Sequence, residues 1–385
     1  MLPVMANTIA ALLQGRDNNF NLIRFLAASA VIVDHSFALV APEQAAKAFF
    51  DVGSLEIGRL AVDVFFIVSG FLVTRSVMTR PTVLDYAVAR FLRLIPGLFV
   101  TCIALAFVLG PLVSLVSLHD YFTDARPWLF VPLTATLITH TLTLPGVFDN
   151  VPVSGVIDAP LWTLRFETGC YVLLAVFALV GALATRFRAG VTLALLLAGY
   201  LFVTFATEWR ETSAIDSAAR FTRGFFLGGT LYVFADKIRL ELGVVVVLAI
   251  AAMFAHGTPV YELVLRIALA YGLIWFALVP GGVIRSFNKL GDYSYGLYIL
   301  CFPIQQTFVM LDPAITPGAL LLCSFPAVLG FAILSWHFVE HPALSQKPWA
   351  SERLHEALAT GRRRLASLLK LGSAAPKTQG AASSN

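Results

Sequence analysis

Long apolar runs, each close to 20 residues, restrict most strongly how this 385-residue chain can fold. A helix needs about 20 apolar residues to cross the roughly 30 Å hydrocarbon core of a bilayer. Eleven segments fit that length to within several residues, and their apolar residues are continuous rather than alternating, which favours helices over strands. The segments are 21–40, 58–79, 94–117, 128–145, 159–182, 190–207, 218–236, 242–256, 260–280, 290–311 and 318–340.

Composition supports a membrane protein. Charged residues make up 13% of the chain, against about 25% in soluble domains. This scarcity excludes an ordinary soluble globule, a disordered chain and a disulfide-stapled secreted domain. The four cysteines lie in apolar stretches, at spacings of neither a zinc site nor a disulfide framework, so we expect buried thiols and no metal. The predicted fold is all-α, a polytopic transmembrane helical bundle.

The basic residues predict the orientation, because cytoplasmic loops carry the excess of Lys and Arg. If segment 128–145 does not cross, every basic cluster falls on the cytoplasmic side, together with both termini. That segment is also short and rich in threonine. We therefore predict ten spans plus one re-entrant or interfacial segment, with region 118–158 forming part of a site. The start of the chain has no basic stretch before an apolar one, so no cleavable signal peptide is expected.

Two regions follow from this pattern. Residues 1–345 are predicted to form the membrane domain, and 346–385 a cytoplasmic tail that is partly disordered. The basic stretch 351–371 fits an amphipathic helix on the membrane surface, although a solvated charged tail is the preferred interpretation. Localisation in a bacterial cytoplasmic (inner) membrane is expected.

Ionisable residues inside predicted spans are costly and usually mark function. Arg24 and His35 lie eleven residues apart in the first segment. They therefore share nearly one helix face, roughly 16 Å apart along the axis. Asp34 points about 100° away from His35, which makes it a poor direct partner.

The topology gathers these residues at two levels. Asp63 and Glu167 are predicted in the outer half with His35, whereas Arg75, Arg90 and Arg93 join Arg24 at the inner face. Structural alternatives stay open: both acids could pair with Arg165, and the arginines could be only the positive-inside signal. Together, however, a basic mouth suits phosphate groups and a histidine along the same face suits proton transfer. Acyl-coenzyme A, with a phosphorylated head and a long arm, has a matching shape.

Five motifs carry a resemblance to a known family. They are Arg24 with His35 in LIRFLAASAVIVDHS, then AVDVFFIVSGFLVTRS, ARFLRLIP, APLWTLRFE with CYVLL, and LGDYSYGLYILCFPI, with Glu340 and Pro342 near the end of the last helix. In these motifs the chain resembles the integral-membrane acyltransferase-3 family, whose members O-acylate cell-surface sugars. The likeness covers about residues 16–345. It departs at Cys301, where the family often has histidine.

The resemblance implies an activity, and together with the residue pattern above it leads to a hypothesis for the role of each residue. Such proteins move an acyl group, usually acetyl, from cytoplasmic acyl-coenzyme A to an extracytoplasmic carbohydrate hydroxyl. The donor is a co-substrate, no cofactor is bound permanently, and nucleic acid is not a partner. His35 would be the general base or carry the acyl group, oriented by Asp63 or Glu167. Arg24, Arg75, Arg90 and Arg93 would hold the donor's phosphates, and Trp162 and Tyr171 would contact the sugar.

Two other functions fit the same spans and buried charges. A secondary transporter or flippase would need no acetyl-coenzyme A, and we find no repeat of the kind typical of transporters. A non-enzymatic component of a polysaccharide assembly complex would tolerate loss of His35.

Overall fold

The computed structural model describes residues 7–13, 15, 17–41, 57–137, 139, 143–206, 213–258 and 260–372. The longer helices are α1 Phe20–Val40, α2 Ile57–Thr79, α3 Val83–Ala104, α4 Arg126–Ala135, α5 Leu164–Leu179, α6 Arg186–Ala206, α7 Ser213–Val233, α8 Leu242–Ala255, α9 Tyr261–Leu278, α10 Ser294–Leu311, α11 Pro317–Ser335 and α12 Lys347–Gly372. No strand occurs in these residues, so the helical, polytopic fold is confirmed.

Six helical stretches in the described chain are long and apolar enough to cross a membrane. They are Phe20–Val40, Ile57–Thr79, Val83–Val113, Ala159–Leu179, Tyr261–Leu278 and Pro317–Ser345. The total of ten spans stays a prediction. Helix α4 has only 10 residues, too few to cross, in keeping with the predicted non-crossing segment 128–145. Residues 138 and 140–142 of that segment lie outside the described residues.

The third helix differs from its predicted bounds. Helix α3 begins at Val83, eleven residues before the predicted start at 94, so Arg90 and Arg93 lie on the helix rather than before it. Thr82 caps it, accepting a hydrogen bond from the Asp85 amide. Prediction placed the start too late because it required apolar residues, whereas a capped amphipathic turn extends a helix beyond its apolar run.

Helices α2 and α7 form the most extensive interface of the bundle. Glycines allow this approach, since a Cβ at Gly70 would lie 1.8 Å from Phe225 O, and one at Gly228 would lie 2.0 Å from Ile67 O. Helix α10 packs against α1 and α11 and is buried along most of its length.

Prolines explain two local irregularities. The π-helical turns Leu105–Leu109 and Trp336–Glu340 end just before Pro111 and Pro342. Proline has no N–H and its ring crowds the carbonyl four residues earlier, so the helix widens locally. The second turn brings Glu340 to the bundle interior, where it is 1% exposed.

The basic stretch 351–371 is helical, and most of its residues up to 364 are exposed. Helix α12 runs over Lys347–Gly372 and packs against the start of α3. There Ser351 donates to Asp85, and His355 Nε2 lies 3.2 Å from an Asp85 carboxylate oxygen. The tail was predicted to be partly disordered, and its residues 373–385 lie outside the described residues.

Candidate active site

The two ends of the bundle differ in chemistry. At one end, Asp34 of α1 accepts a hydrogen bond of 3.1 Å from the Gly58 amide, beside His35. At the other, Arg24 contacts Asp292, just before α10. We call these the histidine end and the arginine end. This separation agrees with the predicted levels of Arg24 and His35.

A buried ion network occupies the arginine end. Asp292 binds Arg24 and also Arg93, whose Nη2 lies 2.6 Å from its carboxylate. Arg93 reaches Glu340 as well, at 3.3 Å. Burial opposes ionisation of Asp292, but Arg24, Arg93 and a hydrogen bond from Ser294 outweigh it and hold the pKa of this carboxyl below its usual range. Two of the four predicted phosphate ligands are therefore already paired with carboxylates.

Other cationic side chains line a wide cleft at the arginine end, which has a volume of about 990 Å³. Arg75, Arg80, Lys289 and Lys347 line it, and Arg93 and Asp292 form part of its wall. Arg75 makes no ion pair with any part of the chain that the structure describes. The cleft is thus open, basic and large enough for a nucleotide-sized ligand.

Arg90 lies elsewhere. Its guanidinium stands over the Tyr171 ring, 5.7 Å from the centroid. The Tyr171 hydroxyl donates to Glu167, and Glu167 also accepts from Ser69 at 2.9 Å. Arg90, Tyr171, Glu167 and Ser69 therefore form one chain of contacts, and Tyr171 is only 6% exposed.

Glu167 lies deeper than predicted. It shares a narrow cleft with Arg24, Thr163, Ser294 and Tyr298, which places it towards the arginine end and not in the outer half with His35. The reason is local: residues 159–163 form a 3₁₀ turn packed against α10, and α5 begins only at Leu164. The narrow cleft holds about 30 Å³, enough for little more than one water molecule.

His35 contacts α10 rather than an acid. Its Nδ1 lies 3.8 Å from Cys301 Sγ, and its ring meets Phe302 edge-on at 5.4 Å. Cys301 Sγ lies 3.3 Å from Tyr298 O, its hydrogen-bond acceptor. With the thiol proton directed at that carbonyl, sulfur can accept from Nδ1–H, which leaves Nε2 as the basic nitrogen.

Asp63, predicted to orient His35, has other partners. Its carboxylate lies 3.5 Å from Arg266 Nη2 and 3.8 Å from Arg220 Nε. Neither Asp63 nor Glu167 contacts the imidazole within the described chain. The alternative pairing with Arg165 is wrong, since that side chain stands over Phe166 instead.

Trp162 is partly buried among aromatic side chains. Its ring centroid lies 5.6 Å from that of Phe166 and 5.5 Å from that of Phe221. Phe221 in turn stacks on Phe66, one turn along α2 from Asp63. Trp162 therefore packs among aromatic side chains inside the bundle, and its contact with the sugar stays a prediction.

Comparison with known proteins now identifies the family. A family model described as an acyltransferase domain matches residues 17–337, most of the chain. The chain belongs to the acyltransferase-3 family. The resemblance seen in the motifs is thus confirmed, and the protein is an acyltransferase with membrane-spanning character.

Two curated relatives align over nearly their whole length. The chain is 26% identical over 343 residues to a protein named O-acetyl transferase from Shigella phage Sf6, covering 86% of this chain and 97% of the relative. It is 24% identical over 360 residues to nodulation protein 10 from Rhizobium leguminosarum bv. viciae, covering 86% and 94%. No solved structure matches the chain significantly.

Several charged residues of the acyltransferase had received no role from sequence. Asp292 stands inside the fifth motif, and Arg220 and Arg266 stand inside apolar segments. A charged residue inside an apolar segment was the sequence signal that could have marked each of them as functional. Which acid faces which arginine was not readable, because the partners are up to 268 residues apart.

Proposed function

We propose that the acyltransferase moves an acetyl group from acetyl-coenzyme A, bound at the arginine end, to a carbohydrate hydroxyl that enters from the histidine end. The observation that carries this proposal is the arrangement along α1. A wide basic cleft lies beside Arg24, and the partly exposed imidazole of His35 stands near the opposite end. The name of the phage relative, O-acetyl transferase, supports acetyl as the group and oxygen as the acceptor atom.

The donor would bind by its phosphates in the wide cleft. Arg75, Arg80, Lys289 and Lys347 supply cations there, and Arg offers phosphate a planar fork of donors. Arg24 and Arg93 would act on the donor while held in place by Asp292, and Arg90 from its position over Tyr171. The thin arm of the donor would follow the narrow cleft past Thr163 and Tyr298. That path requires these side chains to move apart.

His35 would act as general base. Its Nε2 takes the proton of the sugar hydroxyl while the hydroxyl oxygen attacks the thioester carbonyl carbon. A C–O bond forms, the C–S bond breaks, and the sulfur leaves with the proton that His35 returns. The products are an O-acetyl ester and free coenzyme A. Cys301 orients the ring but carries no charge, so it stabilises the imidazolium less than a carboxylate would.

The cytoplasmic membrane fits this chemistry. The donor is made in the cytoplasm and the acceptor lies outside, so we propose that the arginine end and both termini face the cytoplasm. The bias of basic residues towards that end supports this orientation.

Replacing His35 tests the proposal. Purified His35→Ala protein should bind acetyl-coenzyme A normally but transfer acetyl to extracted surface polysaccharide 10²- to 10⁴-fold more slowly, about the usual contribution of a general base. His256→Ala is the matched control, because His256 contacts Tyr261 at the end of α8, away from Cys301. Wild-type transfer by the His35 variant would refute its role as base.

A further inference from the structure

Asp158 is a buried acid that the mechanism above does not use. Asp158 is only 4% exposed, and neither of its carboxylate oxygens has a hydrogen-bond partner in the described structure. Burying a polar group without a hydrogen-bond partner is strongly unfavourable in an apolar medium. Such a group in a folded protein calls for an explanation, and a missing ligand is one.

Other buried acids of the bundle are paired. Asp63, Asp292 and Glu340 each lie beside at least one arginine. Asp158 has no cation beside it among the described residues. Burial therefore holds the pKa of Asp158 well above its usual range. Burial favours the protonated form, in which the carboxyl offers one O–H donor and free acceptor capacity.

Two anchors fix where Asp158 lies along α10. Earlier in the chain than Asp158, Val153 O accepts a hydrogen bond of 2.8 Å from the Gln306 side-chain amide. Later in the chain than Asp158, Thr163 Oγ1 and the Tyr298 hydroxyl form a hydrogen bond of 2.7 Å. Asp158 must therefore pack near α10 between Tyr298 and Gln306.

This stretch of α10 includes Cys301, the residue that contacts His35. Consistently, Asp158 lies within electrostatic range of both Cys301 and Tyr298. The unpartnered carboxyl thus lies near Cys301, which contacts the predicted base, on the segment 118–158 that sequence had assigned to a site.

We propose that Asp158 binds the acceptor sugar, by hydrogen bonds between its carboxyl group and a hydroxyl next to the one that His35 deprotonates. This inference rests on the proposed function, because it names a substrate contact in the same site. A carboxyl side chain can accept from one hydroxyl and donate to another, so the fitting ligand is a neutral sugar with adjacent free hydroxyls. The free protein leaves this group unsatisfied, and the sugar completes it.

The test compares Asp158→Ala and Asp158→Asn with Asp149→Asn, an exposed acid of the same loop. Each purified variant is assayed with acetyl-labelled coenzyme A and with polysaccharide extracted from cells that lack the gene. We expect Asp158→Ala to raise KM for polysaccharide at least tenfold, Asp158→Asn to raise it less, and Asp149→Asn to leave it unchanged. KM for acetyl-coenzyme A should change less than twofold, and the melting temperature should not fall.

A binding measurement without turnover separates this inference from the proposed function. Polysaccharide alone should raise the melting temperature of the wild type but not of Asp158→Ala. An equal rise in both, or none in the wild type, would overturn the role of Asp158. So would an effect on kcat alone, or a lowered melting temperature with both KM values raised. A wild type that binds polysaccharide but transfers no acetyl would instead contradict the proposed function.

Discussion

At the scale of single residues, the acyltransferase manages buried charge by compensation. Arg24 and Arg93 share Asp292, and Arg93 also reaches Glu340. Two arginines and two carboxyl groups thus lie together in a region of low dielectric constant. Breaking such a set is strongly unfavourable, because it leaves an uncompensated charge away from water.

Replacing Asp292 by asparagine should destabilise the fold. Asp292→Asn removes the charge that Arg24 and Arg93 share, and breaking a buried ion pair costs about 3–5 kcal/mol. The melting temperature in detergent should fall clearly. Asp17→Asn is the control, since Asp17 forms a surface pair with Arg285 at 2.6 Å and such pairs contribute at most about 1 kcal/mol.

The difference in stability between the wild type and Asp292→Asn should depend on pH. The folded pKa of Asp292 lies below its unfolded value, so ionised Asp292 contributes stability that is full above about pH 4 and is lost as pH falls through the folded pKa. The gap in melting temperature between wild type and Asp292→Asn should be constant from pH 5 to 7 and narrow below pH 4. A constant gap down to pH 3 would show that the carboxylate charge is not what stabilises the network.

At the scale of elements, α2 packs closely against α7 and contacts the candidate site through Ser69. Gly70 and Gly228 bring backbone against backbone, and the same stretch of α2 carries Ser69, which holds Glu167. Small residues at such contacts are typical of membrane helices, where van der Waals packing rather than the hydrophobic effect drives association. The same stretch of α2 therefore makes two contacts, one with the backbone of α7 and one with Glu167 of α5.

Adding a single methyl group at this contact should lower both the stability of the protein and its acetyl transfer. Gly70→Ala places a Cβ 1.8 Å from Phe225 O, so the helices must separate. Overpacking of this kind costs about 1–3 kcal/mol, and acetyl transfer should fall with stability. Gly330→Ala is the matched control, because a Cβ there meets no atom within 4 Å. Equal melting temperatures for both variants would show that α2 and α7 separate without cost.

At the scale of the whole molecule, charge divides the bundle into two chemically distinct ends. The arginine end has the wide basic cleft, whereas the histidine end has His35 and Asp63. A narrow cleft joins the levels of Arg24 and Thr163. A donor and an acceptor approaching from opposite sides would therefore meet inside the membrane while water is largely excluded.

Labelling of intact cells tests this orientation. In a variant without the native cysteines, Asp149→Cys should react with a membrane-impermeant maleimide from outside, whereas Lys289→Cys should react only after lysis. Both side chains are exposed in the structure. Labelling of Lys289→Cys in intact cells would place the wide cleft outside and contradict the proposed donor side.

Much of the fold and part of the site could be predicted from the sequence. Apolar runs predicted the helices, because a membrane requires each of them to satisfy its own backbone hydrogen bonds. The eleven-residue spacing of Arg24 and His35 placed them at different levels of one helix face, because helical geometry is local. The motifs identified the family, which the family model confirmed.

Only the tertiary structure decided which charges meet. It paired Asp63 with Arg266 and Arg220, moved Glu167 towards the arginine end, and left His35 beside Cys301. It also left Asp158 buried, without a hydrogen-bond partner among the described residues. These contacts join residues far apart in the chain, and their energies depend on burial and distance. Neither quantity exists until the helices have packed, whereas the apolar runs act on each helix separately.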